Sequence, residues 1–197
     1  MTTPEGPRPL LFLDVDGPLI PFGGPSPEYP PPDPPLPPAT AGTNPLLSRL
    51  DPGHGPRLSA LPCTLIWATT WMADANTQLA PRLGLPPLEV LSWPDPSDAD
   101  EGADREAQVA QEAQDLRMGL HWKTRGLVSR AAGRPFIWVD DEITDADRAW
   151  VRAHHPGLAL LHRVDPRRGL TGPDYAALTD WLRALSGQPS PGDPAPR

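Results

Sequence analysis

The sequence has one cysteine, Cys63, and so no internal disulfide, an economy that suits a reducing cytoplasm. No apolar run approaches the length of a membrane span, and Met1 to Arg8 lacks the hydrophobic core of a secretion signal. Positive charge is also scarce, with a formal net charge of -8. That balance disfavours a broad phosphate-binding surface and hence stable binding to long nucleic acid. A phosphate substrate can still enter a site made locally positive by a metal and a lysine. These absences predict a soluble cytoplasmic protein with no membrane partner.

Proline, by contrast, is abundant: 31 of 197 residues. Length favours a single domain, predicted over 9–186 between a flexible 1–8 and a disordered Pro/Gly tail at 187–197. Pro30-Pro31-Pro32-Asp33-Pro34-Pro35 lies in an insertion at 21–45 that favours polyproline II or coil and offers few backbone donors. It reads as a stiff surface loop that is an insertion with no role, a lid over the site, or the ligand of a proline-recognising protein partner. A second insertion, 95–118, is acidic, Ala/Gln-rich and poor in large apolar residues, so it reads as solvated loop and weak helix.

The most informative segment is Leu10-Leu11-Phe12-Leu13-Asp14-Val15-Asp16-Gly17. An apolar run ends in two carboxylates one residue apart, which strand alternation puts on one face, and a glycine then frees the backbone to turn. Such an edge is a poor structural choice unless a cation or a reaction needs both charges. Two later apolar runs also stop at polar groups, Thr64 to Trp71 and Pro135 to Glu142, as parallel strands do where a site sits at their carboxyl ends. Helical spacing marks Met72 to Leu83, closed by Gly84, then Lys123 to Ala132, closed by Gly133, and Asp174 to Leu185. Further strands are expected at Leu88 to Leu91 and Leu158 to Leu161, with Thr144 as the N-cap of a helix ending near His154. The alternation predicts an α/β fold, a three-layer α/β/α sandwich on a mostly parallel, Rossmann-like sheet.

Four segments in order, Asp14-Val15-Asp16-Gly17, Ala68-Thr69-Thr70, His121-Trp122-Lys123-Thr124 and Val139-Asp140-Asp141, resemble the motifs of the haloacid dehalogenase-like (HAD) hydrolase superfamily. The resemblance covers roughly residues 9 to 165 and implies a minimal cap, since neither insertion looks like a folded domain. It is also similar to small HAD domains associated with RNA-repair proteins.

By that resemblance Asp14 is the nucleophile and forms an aspartyl-phosphate; a carboxylate is ionised at pH 7 and needs no activating base. Asp16 is implied as the general acid and base. Lys123 is implied to neutralise the nucleophile and the transferring phosphoryl group, and Thr69 or Thr70 to donate a hydroxyl to it. Carboxylates and a phosphate in one pocket repel, and Mg²⁺ with oxygen ligands relieves this. Its implied ligands are Asp14, the backbone carbonyl of Asp16, Asp140, and Asp141 directly or through water. Pro18 departs from the family pattern and withdraws one amide from phosphate contact. Trp71 and Trp122 flank the motifs as packing or base-stacking residues, and His121 as an exposed or supporting group.

The expected function is therefore a Mg²⁺-dependent phosphatase acting on a phosphorylated small molecule or on a nucleotide or polynucleotide terminal phosphate. A phosphotransferase or mutase on the same scaffold, and a non-catalytic module using the Pro-rich loop, are the alternatives.

Overall fold

Leu10–Leu13 forms β1, and all four of its residues are buried. A strand hidden on both faces needs neighbours on both edges and packing on both sides. On its edges β1 pairs in parallel with β2 (Thr64–Trp67) and β4 (Phe136–Asp140). β3 (Glu89–Val90) extends the sheet beside β2 and β5 (Ala159–Arg163) beside β4, in the order β3-β2-β1-β4-β5 with every pairing parallel. The computed structural model describes residues 7–24, 45–93 and 103–187.

Alternation along β1 sends its side chains into two cores. Leu11 and Leu13 join Leu58 of α1 (His54–Ser59), Ala80 and Leu83 of α2 (Ala80–Leu83), and Leu178 and Leu182 of α6 (Gly172–Leu185). Leu10 and Phe12 join Leu127 and Ala131 of α4 (Thr124–Ala131) and Val151 of α5 (Asp145–His154). The molecule is thus an α/β/α sandwich with a Rossmann-like sheet, wholly parallel among the described residues rather than mostly so. No helix of the described residues is long and apolar enough to cross a membrane.

Local expectations fared unevenly. Thr144 caps α5, its hydroxyl accepting the Asp147 N–H in a reciprocal capping box. Within Met72 to Leu83, a π-helical turn at Ala75–Leu79 precedes α2, and Gly84 ends it at φ +65°. Ala75 and Leu79 of that turn are buried, whereas Ala73, which precedes it, is exposed. The acidic insertion is more ordered than its composition suggested: α3 (Ala103–Met118) runs for 16 residues. Ala, Gln, Glu and Arg are strong helix formers whatever their hydropathy, and Asp115 on α3 is bound by Arg125 of α4 at 2.7 to 2.9 Å. The Pro-rich segment 25–44, residues 94–102 of the acidic insertion, the terminus 1–6 and the tail 188–197 lie outside the described residues.

Candidate active site

Each of the three central strands ends at a polar group. β1 continues into Asp14, β2 leads through Ala68 to Thr69, and β4 terminates in Asp140 followed by Asp141. The register pairs Leu13 with both Trp67 and Val139, so these ends are level across the middle of the sheet. Parallel strands present their carboxyl ends on one edge, and that edge gathers groups from distant parts of the chain.

Lys123 joins them. It precedes α4, and its Nζ lies 2.9 Å from Asp14 Oδ2 and 2.8 Å from Asp140 Oδ2, with only 2 % of the residue exposed. Lys123 is the only lysine in the chain. The other Asp14 oxygen accepts the Val15 N–H at 2.8 Å. Asp140 is held by two further donors, the Trp138 indole at 3.1 Å and the Glu142 N–H at 2.9 Å. Asp141 packs against Gly17, where a Cβ would come within 2.5 Å of Asp141 Oδ1 and where φ is +85°. Glycine is required there both for the backbone and for the carboxylate beside it.

The charges do not balance. Carboxylate oxygens of Asp14, Asp140 and Asp141 all lie within 4.8 Å of one another, facing the single ammonium. Burial pushes Asp14 up to about 7, against the pull of Lys123 and with Asp140 adding to the rise. Burial and then Asp140 push Asp141 up to about 6. Burial works against the charge on Lys123, but Asp14 and Asp140 outweigh it and raise its pKa above the ordinary lysine value. A cluster of three buried acids with this uncompensated charge suits a hard divalent cation bound through oxygen, so the donor set fits Mg²⁺.

Asp16 stands apart. Its carboxylate is not among the three clustered ones, and its Oδ2 instead accepts the Trp71 indole N–H at 2.9 Å. Thr69 is fully buried, with its Oγ1 accepting the Trp71 N–H at 3.3 Å, whereas Thr70 is exposed. Of the residues expected at the site, Lys123 contacts Asp14 and Asp140, and Asp141 has a carboxylate oxygen within 4.8 Å of both acids. Asp16 and Thr69 follow on the same strand ends, and Thr70 points to solvent.

Two further residues support the cluster from outside it. His121, expected to be exposed or supporting, has only 7 % of its side chain exposed. Its Nδ1 accepts the Lys123 N–H at 3.2 Å, which leaves the proton on Nε2 for Glu142 at 3.1 Å. Asp147, in the first turn of α5, is fully buried. It accepts from His121 N at 2.8 Å, Thr124 Oγ1 at 2.6 Å, and the N and Oγ1 of Thr144, each at 2.7 Å. Asp147 therefore fastens both residues flanking the Trp122-Lys123 step to the start of α5. The T/S-x-x-D/E pattern at Thr144 signalled a cap, but nothing in it signalled the second pair of donors.

No protein-family model, curated protein or solved structure matches the chain.

Proposed function

We propose that the protein is a Mg²⁺-dependent phosphomonoesterase working through an aspartyl-phosphate on Asp14. The observation that carries this reading is the Lys123 ammonium shared between Asp14 and Asp140 at the carboxyl edge of a parallel sheet. A buried acid pair with one cation between them is costly as architecture and useful as a phosphoryl-transfer site. The motif order resembling HAD hydrolases supports the same assignment.

In the first step an Asp14 carboxylate oxygen attacks phosphorus, the bond from phosphorus to the leaving oxygen breaks, and Asp16 gives that oxygen a proton. In the second, water attacks phosphorus, Asp16 takes its proton, and the bond to Asp14 breaks to release inorganic phosphate. Lys123 holds the attacking carboxylate in place and offsets the charge gathering on the phosphoryl oxygens. Thr69, buried where Thr70 is exposed, is the better placed hydroxyl to donate to one of them. Trp71 fixes the Asp16 carboxylate. Asp14, Asp140 and Asp141, with the Asp16 carbonyl, would hold Mg²⁺, which supplies charge neutralisation and polarises the phosphoryl oxygens.

The test is a screen of phosphomonoesters with Mg²⁺ and with EDTA, scoring inorganic phosphate. Metal-dependent phosphate release is the expected result, and no turnover of any ester by folded protein overturns the reading. Substrate consumed without release of phosphate identifies a phosphotransferase instead.

A further inference from the structure

A cavity of ≈ 730 Å³ lies between α3, the Leu120 to Trp122 turn and the start of α4. Pockets of this size, roughly 300–1,000 Å³, are typical of small-molecule sites. It adjoins the carboxylate cluster. His121 and Glu142 line it, and their ligand atoms lie within 4.8 Å of an Asp140 carboxylate oxygen. Trp122 lines it too, its ring centroid 5.4 Å from Lys123 Nζ.

Two properties of the wall are unexplained by the fold. Trp122 and Leu116, both lining residues, are 46 % and 80 % exposed, apolar surface that adds nothing to either core. The Trp93 indole N–H is buried and has no partner among the described residues. Trp93 is also fixed in place. It lies so close to Gly126 that a Cβ there would sit 2.7 Å from its ring, and it meets Trp122 edge to face at 4.7 Å. The result is a rigid aromatic corner suited to a planar ring.

The ring does not belong directly on the phosphorus. The Trp122 ring centroid stands 5.4 Å from the ammonium that grips Asp14, so the aromatic wall adjoins the phosphoryl position and does not coincide with it. A chain of net charge -8 offers no track for additional phosphates. We propose that the cavity seats the base of a nucleoside monophosphate whose sugar oxygen is the leaving group. This proposal rests on the phosphatase reading of the neighbouring carboxylates.

The experiment compares KM for adenosine 5′-monophosphate and adenosine 3′-monophosphate with that for ribose 5-phosphate, in the full chain and in Trp122→Ala and Leu116→Trp. At least one nucleotide should show a KM about tenfold or more below ribose 5-phosphate, the scale of base stacking on an aromatic side chain. That advantage should shrink to about threefold or less when Trp122 is truncated or the cavity is narrowed at Leu116. Both positions are solvent-exposed, so the variants should fold, and cooperative urea unfolding verifies this. Equal KM values, or an advantage that survives both substitutions, overturn the cavity assignment while the phosphatase stands. No turnover of either nucleotide by protein that hydrolyses another phosphomonoester overturns the nucleotide assignment alone, and no turnover of any phosphomonoester removes the phosphatase reading with it.

Discussion

The Trp71 indole N–H donates to Asp16 Oδ2 at 2.9 Å, joining the turn that follows β2 to the turn that follows β1. An acid that must give a proton and take it back gains from a fixed direction. Trp71→Phe keeps the ring and deletes the donor. We expect kcat to fall about tenfold on esters with poor leaving groups, the usual scale for a lost hydrogen bond to a charged group, and much less on p-nitrophenyl phosphate. A purely structural role for Trp71 lowers both equally, so the leaving-group dependence of kcat decides between them.

Asp14 and Asp16 should fail differently. On the proposed mechanism Asp14→Asn removes the nucleophile while preserving size and shape, so no phosphoryl adduct should form. Asp16→Asn still permits slow phosphorylation from substrates whose leaving group departs unprotonated, and the adduct then accumulates for want of a base. Acid-quenched mass spectrometry after substrate addition reads both. An adduct on the Asp14→Asn protein places the nucleophile elsewhere.

The raised carboxyl pKa values make the metal-free fold pH-dependent. Asp14 at about 7 and Asp141 at about 6, against an ordinary value of 3.8, retain protons that the unfolded chain has already shed. Their contribution to stability is therefore present below the unfolded value and lost as pH rises through the folded ones, in the window from about 4 to 7. Burial lowers the pKa of His54 and His155, which pull the other way. They cancel when wild type is compared with Asp14→Asn. Urea unfolding should show the variant gaining on wild type between pH 5 and 8, by roughly 2–4 kcal/mol. Mg²⁺ at pH 8 should close much of that gap. A difference that is flat with pH refutes the charge accounting.

Asp147 should matter out of proportion to its distance from the reaction. Asn at this position offers one acceptor oxygen where four donors converge, and turns an amide towards the rest. Asp147→Asn should cost roughly 2–4 kcal/mol in urea unfolding and lower kcat at temperatures where the variant is folded, because His121 and Thr124 flank Lys123. Unchanged stability would mean that water takes over the bonds.

Much of this was legible in the chain because it followed from short periods. The run Leu10 to Leu13 ending at Asp14, the Thr144 cap and the Gly84 stop are each local, and each turned up within a residue or two of where pattern put it. The convergence of Asp14, Lys123 and Asp140 was readable only through motif order, since nothing local relates positions so far apart. Trp71 and Asp147 were missed for a related reason. Their hydrogen bonds run between elements, and periodicity reports which face a residue occupies, not which distant group it will meet. α3 was underestimated because few of its residues are apolar, although helix propensity depends on backbone and rotamer entropy more than on hydropathy.

Lys123, the sole lysine, is sealed between two carboxylates, so the folded chain shows solvent no side-chain amine. Chemistry directed at lysine, whether acetylation, ubiquitin attachment or a synthetic acylating reagent, has one side-chain target and meets it only when the cluster opens. The rate at which such a reagent marks Lys123 is consequently a clock for that opening, counting how often Asp14 and Asp140 let the ammonium go.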